Sequence, residues 1–428
     1  METFVIKGGR PLQGTIEVRG AKNAVFPVLA AAILTKKDCV IDNLPLIEDV
    51  FRMLEILESM GARIVWQEKR KILVNTAKLN PSLMKRKTVL RLRGSVLFLG
   101  PLLARFSKVS LPQPGGDIIG ARPIDTHLDA FSQLGAQVHK GKARVNVALK
   151  RPSKGGEVVL SEFSVTGTCN TLLFAANLAA KVTLKIADQD YQIQELISVL
   201  KSMGAGIRVA GPHAFEIQGK KNLKGFHHTL SYDPIEAGTF IILAIGTKGN
   251  VLVKNVEVRF LDLFFKRLKE AGAKVKIVNK KNGLANVRVL PAKSIRIEKI
   301  QSFIYPGIAS DLQNAFGVLA TQAQGSTLLH DPLYESRLKY LEELNKMGAH
   351  IYISDPHRAI ISGPTPLQGT DLGTFDIRGG AALLMAALIA KGRSTINNIY
   401  QIDRGYERIE ERLCKLGADI KRINANFS

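Results

Sequence analysis

A Gly-Ala pair closes a helix-like segment six times in this chain: Gly61-Ala62, Gly135-Ala136, Gly204-Ala205, Gly272-Ala273, Gly348-Ala349 and Gly417-Ala418. Successive spacings are 74, 69, 68, 76 and 69 residues. That evenness marks a repeated structural unit. Five pairs follow Ser-Met, Gln-Leu, Ser-Met, Lys-Met or Lys-Leu, and one follows Glu-Ala. Apolar residues at spacings of three and four predict an amphipathic helix before each pair, as over 48–60 and 335–347. The glycine suits a left-handed helix stop. A β-rich stretch follows, such as Arg63-Ile64-Val65-Trp66 or His350-Ile351-Tyr352-Ile353.

Upstream in each unit lies a second helix of small apolar residues, for example over 28–34, 172–179, 240–245 and 381–390. A strand such as Val182-Thr183-Leu184-Lys185-Ile186 or Val251-Leu252-Val253 comes next. The unit therefore reads helix, strand, helix, Gly-Ala turn, two strands. Small residues all round the first helix predict burial on every side. An eight-fold α/β barrel would need one strand per helix and eight units. Six units with sheets around internal helices predict another α/β (α+β) architecture, with the units grouped in threes.

With 428 residues, 46% of them hydrophobic, the chain can bury more than one core. Its first residues lack the charged region, apolar run and cleavage site of a secretory signal. The longest apolar stretches fall short of the roughly 20 residues a bilayer requires. A cytoplasmic protein with no membrane partner is expected. Cys39, Cys169 and Cys414 are far apart and form no CxxC pair, and the eight histidines make no ligand pattern. Neither a disulfide framework nor a metal site is expected.

The net charge of +23 suits either a polyanion binder or an enzyme for small anionic substrates. Short basic clusters occur at Lys85-Arg86-Lys87 and over 140–150, without interleaved aromatics. No recognition motif accompanies them, so nucleic acid is not the expected partner. It stays as the alternative reading.

Four segments hold the candidate chemistry. In Gly20-Ala21-Lys22-Asn23-Ala24, Asn23 is expected to cap the first small-residue helix, with Lys22 beside a helix start that favours anions. The stretch Pro114-Gly115-Gly116-Asp117-Ile118-Ile119-Gly120-Ala121-Arg122-Pro123 reads as a mobile loop carrying one carboxylate and one guanidinium. Asp311 precedes an apolar helix, where it reads as either a cap or a site carboxylate. Arg404 lies between the sixth strand and its helix. Lys22, Arg122 and Arg404 look equivalent in their units, and Arg93 and Arg337 add two cations near helix starts. Cations with isolated aspartates suit an anionic substrate and acid–base chemistry.

These segments, with Gly100-Pro101-Leu102-Leu103-Ala104-Arg105, Ser164-Val165-Thr166-Gly167-Thr168 and Ile402-Asp403-Arg404-Gly405-Tyr406-Glu407-Arg408-Ile409-Glu410, resemble the enolpyruvyl transferases of the UDP-N-acetylglucosamine 1-carboxyvinyltransferase type along nearly the whole chain. The resemblance implies a two-domain inside-out α/β barrel of six βαβαββ repeats, three per domain. One domain would comprise 1–20 plus 232–428. The other, 21–231, would carry a mobile catalytic loop over 113–124. The implied reaction moves the enolpyruvyl group of phosphoenolpyruvate onto the 3-hydroxyl of UDP-N-acetylglucosamine, early in peptidoglycan synthesis, with no cofactor.

Implied roles follow by position. Lys22, Arg122, Arg337 and Arg404 would hold phosphoenolpyruvate, with Asn23 positioning it. Arg93, Arg122, Pro123, Ile124, Asp125, Thr126, Ser164, Val165, Thr166, Gly167, Asp311 and Leu333 would contact the nucleotide sugar. Asp311 would face the sugar hydroxyl as base, and Asp376 matches a further position. Most members carry cysteine where this chain has Asp117, so covalent inactivation by the epoxide fosfomycin is not expected. Cys169, after Thr168, departs from the family pattern and falls within a helix, where a structural role is expected. The sister enzyme that makes 5-enolpyruvylshikimate 3-phosphate carries Gly-Ser-Lys-Ser in place of Gly-Ala-Lys-Asn and lacks this chain's glycine-rich loop. The sequence carries no sign of oligomeric state.

Overall fold

The turn glycines Gly61, Gly135, Gly204, Gly272, Gly348 and Gly417 all adopt φ between 81° and 106°. This left-handed region costs a side-chain-bearing residue about 1–2 kcal/mol. Each glycine ends one helix and releases the chain into an edge strand, in a computed structural model that describes residues 2–117 and 119–424.

The chain divides into two units. The first comprises Met1–Arg19, Asp117–Ala121 and Tyr232–Ser428, and the second Gly20–Gly116 and Arg122–Ser231. Gly20 thus groups with the second unit, and Asp117–Ala121, the middle of the glycine-rich loop, groups with the first. The expectation that the whole of 113–124 belongs to the second unit is corrected. The cause is local: the backbone N–H of Ser336 donates to Ile119 O at 3.0 Å and that of Ala121 to a Glu335 carboxylate oxygen at 3.1 Å.

Among the described residues each unit holds three sheets and three buried helices. In the first unit the helices are Pro234–Gly246, Ser310–Ala320 and Ile377–Ile389, and in the second Lys22–Ala31, Leu99–Phe106 and Val165–Ala176. Among the described residues five sheets have four strands and one has three. A typical repeat is Gly156–Val159, helix, Lys181–Lys185, helix, then the hairpin of Gly206–Gly211 and Ala214–Gln218. Its first strand pairs in parallel with the second, through a crossover helix, and the hairpin pairs antiparallel.

Two repeats depart from the unit read in the sequence. The sixth has one strand after its Gly-Ala turn, Asp419–Asn424. The chain's own N-terminal strand Glu2–Lys7 lies between it and Arg393–Asn397 and completes the sheet. The second repeat owns the three-stranded sheet. Its first strand is replaced by the helical turns Arg86–Val89 and Arg93–Phe98.

Close approach of the buried helices depends on absent side chains. A Cβ on Gly317 would sit 1.9 Å from the Tyr340 hydroxyl, and one on Gly100 2.3 Å from Asn170 O. A Cβ on Gly417 would meet nothing within 4 Å, so only its φ of 88° opposes substitution. Gly417→Ala should therefore cost about 1–2 kcal/mol, and Gly317→Ala distinctly more through steric overlap. Denaturant unfolding of both variants tests the order. A milder loss in Gly317→Ala than in Gly417→Ala would contradict it.

Candidate active site

The candidate residues form two sets, one in each unit. In the second unit, Lys22 is the first residue of its helix, and Ala21 holds the cap position without a side-chain bond. Asn23 therefore lies inside the first turn and does not cap it, contrary to expectation. The Lys22 ammonium is largely buried, 3.1 Å from an Asp49 carboxylate oxygen and 5.4 Å from the centre of the Phe26 ring. Asp49 escaped the sequence reading because it sits in an ordinary amphipathic helix, Glu48–Ser59.

Around the loop's exit, the Arg93 guanidinium donates to the carbonyls of Arg122 and Pro123. Ile124 is buried and Asp125 opens the helix Asp125–Gln133, its carboxylate held by Lys140 at 2.7 Å. The Thr126 hydroxyl lies 3.0 Å from both the Ser161 hydroxyl and a Glu162 oxygen. The Ser164 side chain caps the helix Val165–Ala176 by accepting from Gly167 N–H at 3.1 Å. A Cβ on Gly167 would come 3.3 Å from the Thr126 methyl, so these helix starts touch. Arg93, Arg122, Pro123, Thr126, Ser164, Thr166 and Gly167 thus share one neighbourhood. His127, which the sequence reading passed over, sits among them.

In the first unit, Asp311 lies in the first turn of Ser310–Ala320, whose cap position is Ala309. It is no cap. Its two carboxylate oxygens are taken separately, one by Arg337 at 2.9 Å and the other by Arg378 at 3.0 Å. Burial opposes the charge on both arginines. Burial is the largest single influence, but the groups around them together outweigh it and hold both guanidinium pKa values up, Asp311 foremost, with Asp376 next at Arg337 and Tyr406 next at Arg378. Ser310 donates to Asp331 at 2.6 Å and accepts from Arg337 Nε at 3.0 Å. Asp331 also accepts from the backbone N–H of Leu333, whose side chain is exposed. Asp376 caps the helix Ile377–Ile389 and lies 3.8 Å from Arg337, and burial raises its pKa.

Arg378 was missed. It is an arginine in a helix otherwise built of Gly, Ala, Leu, Ile and Met, and a lone charge in a fully buried helix is the signal that could have found it. Its other branch donates to the Tyr406 hydroxyl at 2.9 Å. In the same unit Asp117 is hydrogen-bonded to Arg404, which also donates to Gln401 at 2.8 Å. Arg122 and Arg404 both precede the second helix of a repeat, whereas Lys22 opens a first helix. The expected equivalence of all three is corrected accordingly.

Comparisons with known proteins fit this arrangement. The profile of the family described as EPSP synthase (3-phosphoshikimate 1-carboxyvinyltransferase) matches residues 6–413. A UDP-N-acetylglucosamine 1-carboxyvinyltransferase from Treponema denticola is 38% identical, over 98% of this chain and 99% of the relative. One from Coxiella burnetii is 36% identical, over 100% and 97%. The chain belongs to the enolpyruvyl transferase family, in its UDP-N-acetylglucosamine 1-carboxyvinyltransferase branch. Among solved structures, the enolpyruvyl transferase NikO from Streptomyces tendae superposes with a TM-score of 0.89 at 25% identity, covering 99% of both chains. An EPSP synthase from Acinetobacter baumannii shares the fold at TM-score 0.76 and 17% identity, covering 99% of this chain and 100% of its own. Two-unit α/β architecture and enzyme class follow from this membership. No helix among the described residues is long and apolar enough to cross a membrane.

In this enolpyruvyl transferase the loop carboxylate is Asp117, so its thiol chemistry rests on cysteines elsewhere. Cys169 is buried, and burial, then Asp190, pushes its thiol well above the usual range. Burial raises the Cys39 thiol to about 12. Cys414 is exposed. An alkylating agent at neutral pH should therefore modify Cys414 alone in the folded enzyme, and mass spectrometry of the intact protein reads the count. Labelling of Cys169 before unfolding would contradict its placement in the core.

Proposed function

We propose that this enzyme transfers the enolpyruvyl group of phosphoenolpyruvate to the 3-hydroxyl of UDP-N-acetylglucosamine, releasing phosphate, as an early step of peptidoglycan synthesis in the cytoplasm. The carrying observation is the match to enzymes of that name over 98% of the chain or more. Neither the shikimate 3-phosphate reaction nor nucleic-acid binding gains support from those relatives.

In this reading Lys22, Arg122 and Arg404 bind the carboxylate and phosphate of phosphoenolpyruvate, with Asn23 beside them. The sugar oxygen attacks C2 while its proton passes to Asp311, and Asp117 gives a proton to C3. The product is a phosphorylated ketal, which loses a C3 proton and phosphate to leave the enol ether. Two features support the assignment. Two buried guanidinium groups face the two oxygens of Asp311, and opposite charge at that range favours its ionised, proton-accepting form. Asp117 is bound to Arg404, a proposed clamp residue. An arriving phosphoenolpyruvate offers Arg404 a stronger anion and releases the Asp117 carboxyl to take up and deliver a proton. Arg93, the 122–126 stretch, 164–167 and Leu333 would contact the nucleotide sugar.

Lys22→Ala, Arg122→Ala and Arg404→Ala should each lower phosphoenolpyruvate kcat/KM by about 10- to 100-fold, the loss of a charge-assisted contact of about 1.5–3 kcal/mol. Near-normal efficiency in any of the three removes that residue from the clamp. Asp311→Asn should keep nucleotide-sugar binding and lose about 10²–10⁴-fold in turnover. Its unfolding midpoint should fall too, because Arg337 and Arg378 lose a charged partner. Full turnover in Asp311→Asn assigns the base elsewhere.

The loop is tested by exchange. Wild-type enzyme should stay active after prolonged fosfomycin exposure, because a carboxylate is a poor nucleophile towards an epoxide. Asp117→Cys should turn over and be inactivated, with one adduct by mass. Asp117→Asn should be inert. An active Asp117→Asn enzyme would remove Asp117 as the acid.

A further inference from the structure

His127 is about 1% exposed and meets two residues of the helix Val165–Ala176, yet the reaction as proposed gives it no part. Its Nδ1 lies 2.8 Å from Asn170 Nδ2 and its Nε2 lies 3.1 Å from the Thr166 hydroxyl. Which atoms carry the protons can be settled from backbone groups, whose roles are fixed. The N–H of Gly100 donates to Asn170 Oδ1 at 2.8 Å, and the carbonyl of Val96 accepts from Asn170 Nδ2 at 3.0 Å. A flipped amide would set donor against donor at Gly100 and acceptor against acceptor at Val96. Asn170 Nδ2 therefore faces His127 as a donor, and Nδ1 of the ring must accept.

A doubly protonated ring would aim N–H at N–H₂, so His127 is neutral with its proton on Nε2. Burial and, next, the Arg93 charge agree, pushing the His127 pKa down to about 3. Nε2–H then donates to Thr166 Oγ1. The Thr166 hydroxyl proton is left pointing elsewhere. Thr166 is half-buried at the second position of Val165–Ala176, and its hydroxyl meets no acceptor among the described residues.

We infer that Thr166 is a specificity-determining hydrogen-bond donor to an anionic oxygen of the nucleotide sugar, with its polarity set by the Gly100–Asn170–His127 relay. The inference rests on the proposed function and deepens it. The neighbourhood supports an anionic acceptor, because Arg93 and Arg122 belong to it. His127 and Asn170 are positioning residues that act through Thr166. A phosphoryl oxygen of the diphosphate satisfies the chemistry. A neutral donor group of the ligand could reach only the threonine's second lone pair and would leave the hydroxyl proton without an acceptor.

Calorimetry with UDP-N-acetylglucosamine and with UDP tests this on the full chain. Thr166→Val should weaken both ligands about 10- to 100-fold, the range of a hydrogen bond to a charged group. It should leave the KM for phosphoenolpyruvate unchanged. Thr166→Ser, which keeps the hydroxyl, should bind like wild type, and its loss of affinity would show that the methyl group, not the hydroxyl, matters and overturn the inference. Unchanged UDP affinity in Thr166→Val would also overturn it. Two-bond ¹H–¹⁵N spectra, with His127→Gln identifying the signal, should show a protonated Nε2 and a bare Nδ1 from pH 5 to 8. The opposite tautomer, or titration in that window, would break the relay. Failure of wild-type protein to bind either ligand would sink the proposed function and this inference together. Normal wild-type binding with an indifferent Thr166→Val sinks only the latter.

Discussion

Close contact between helices of glycine, alanine and leucine is the constraint on which each unit depends. Such helices have no polar surface to offer water, so sheets must cover them on all sides. Gly100 against the Asn170 backbone, and Gly317 and Gly238 against the side chains of Tyr340 and Leu312, mark where no room is left for a Cβ. A dry interior of this kind tolerates charge only in satisfied groups. The places where such groups can exist are the ends of the buried helices.

Several of the candidate residues stand there. Lys22 opens one buried helix. Thr166, Asp311 and Arg378 are each the second residue of another. Arg93 opens the helical turn that leads into Leu99–Phe106. Free backbone N–H groups at these ends favour anionic ligands. One architectural need, to bury a helix and still end it, thereby supplies positions for chemistry in repeat after repeat.

Charges that enter the interior come matched. Arg337 and Arg378 are both almost fully buried, and Asp311 answers them from its two oxygens, with Asp376 also 3.8 Å from Arg337. Arg378 passes on to Tyr406, which lies 3.1 Å from the Thr239 hydroxyl. Such a network fixes the direction of every lone pair, and a base needs that fixed direction more than it needs raw proton affinity. Asp117 and Arg404 form another pair of this kind, at which an incoming anion can take the carboxylate's place on the arginine.

Repeat count, helix stops and the character of both helices in each repeat were legible in the sequence, because a 3.6-residue apolar period and a left-handed glycine are local properties. Lys22, Arg122, Asp311 and Arg404 stood out as candidates because they lie in motifs short enough to resemble a family. Asn23 was misjudged as a cap because cap choice depends on where the backbone first turns helical. The N-terminal strand's place in the sixth sheet could not be read, since strand pairing across the whole chain is not a local property. Arg378, Asp49, Asp331 and His127 were hidden for the same reason. Their meaning lies in partners 21 to 67 residues away or in helices that look ordinary alone. Sequence determined what each repeat is made of; tertiary structure decided which side chains face each other, because desolvation makes a charge's role depend on its neighbours in space.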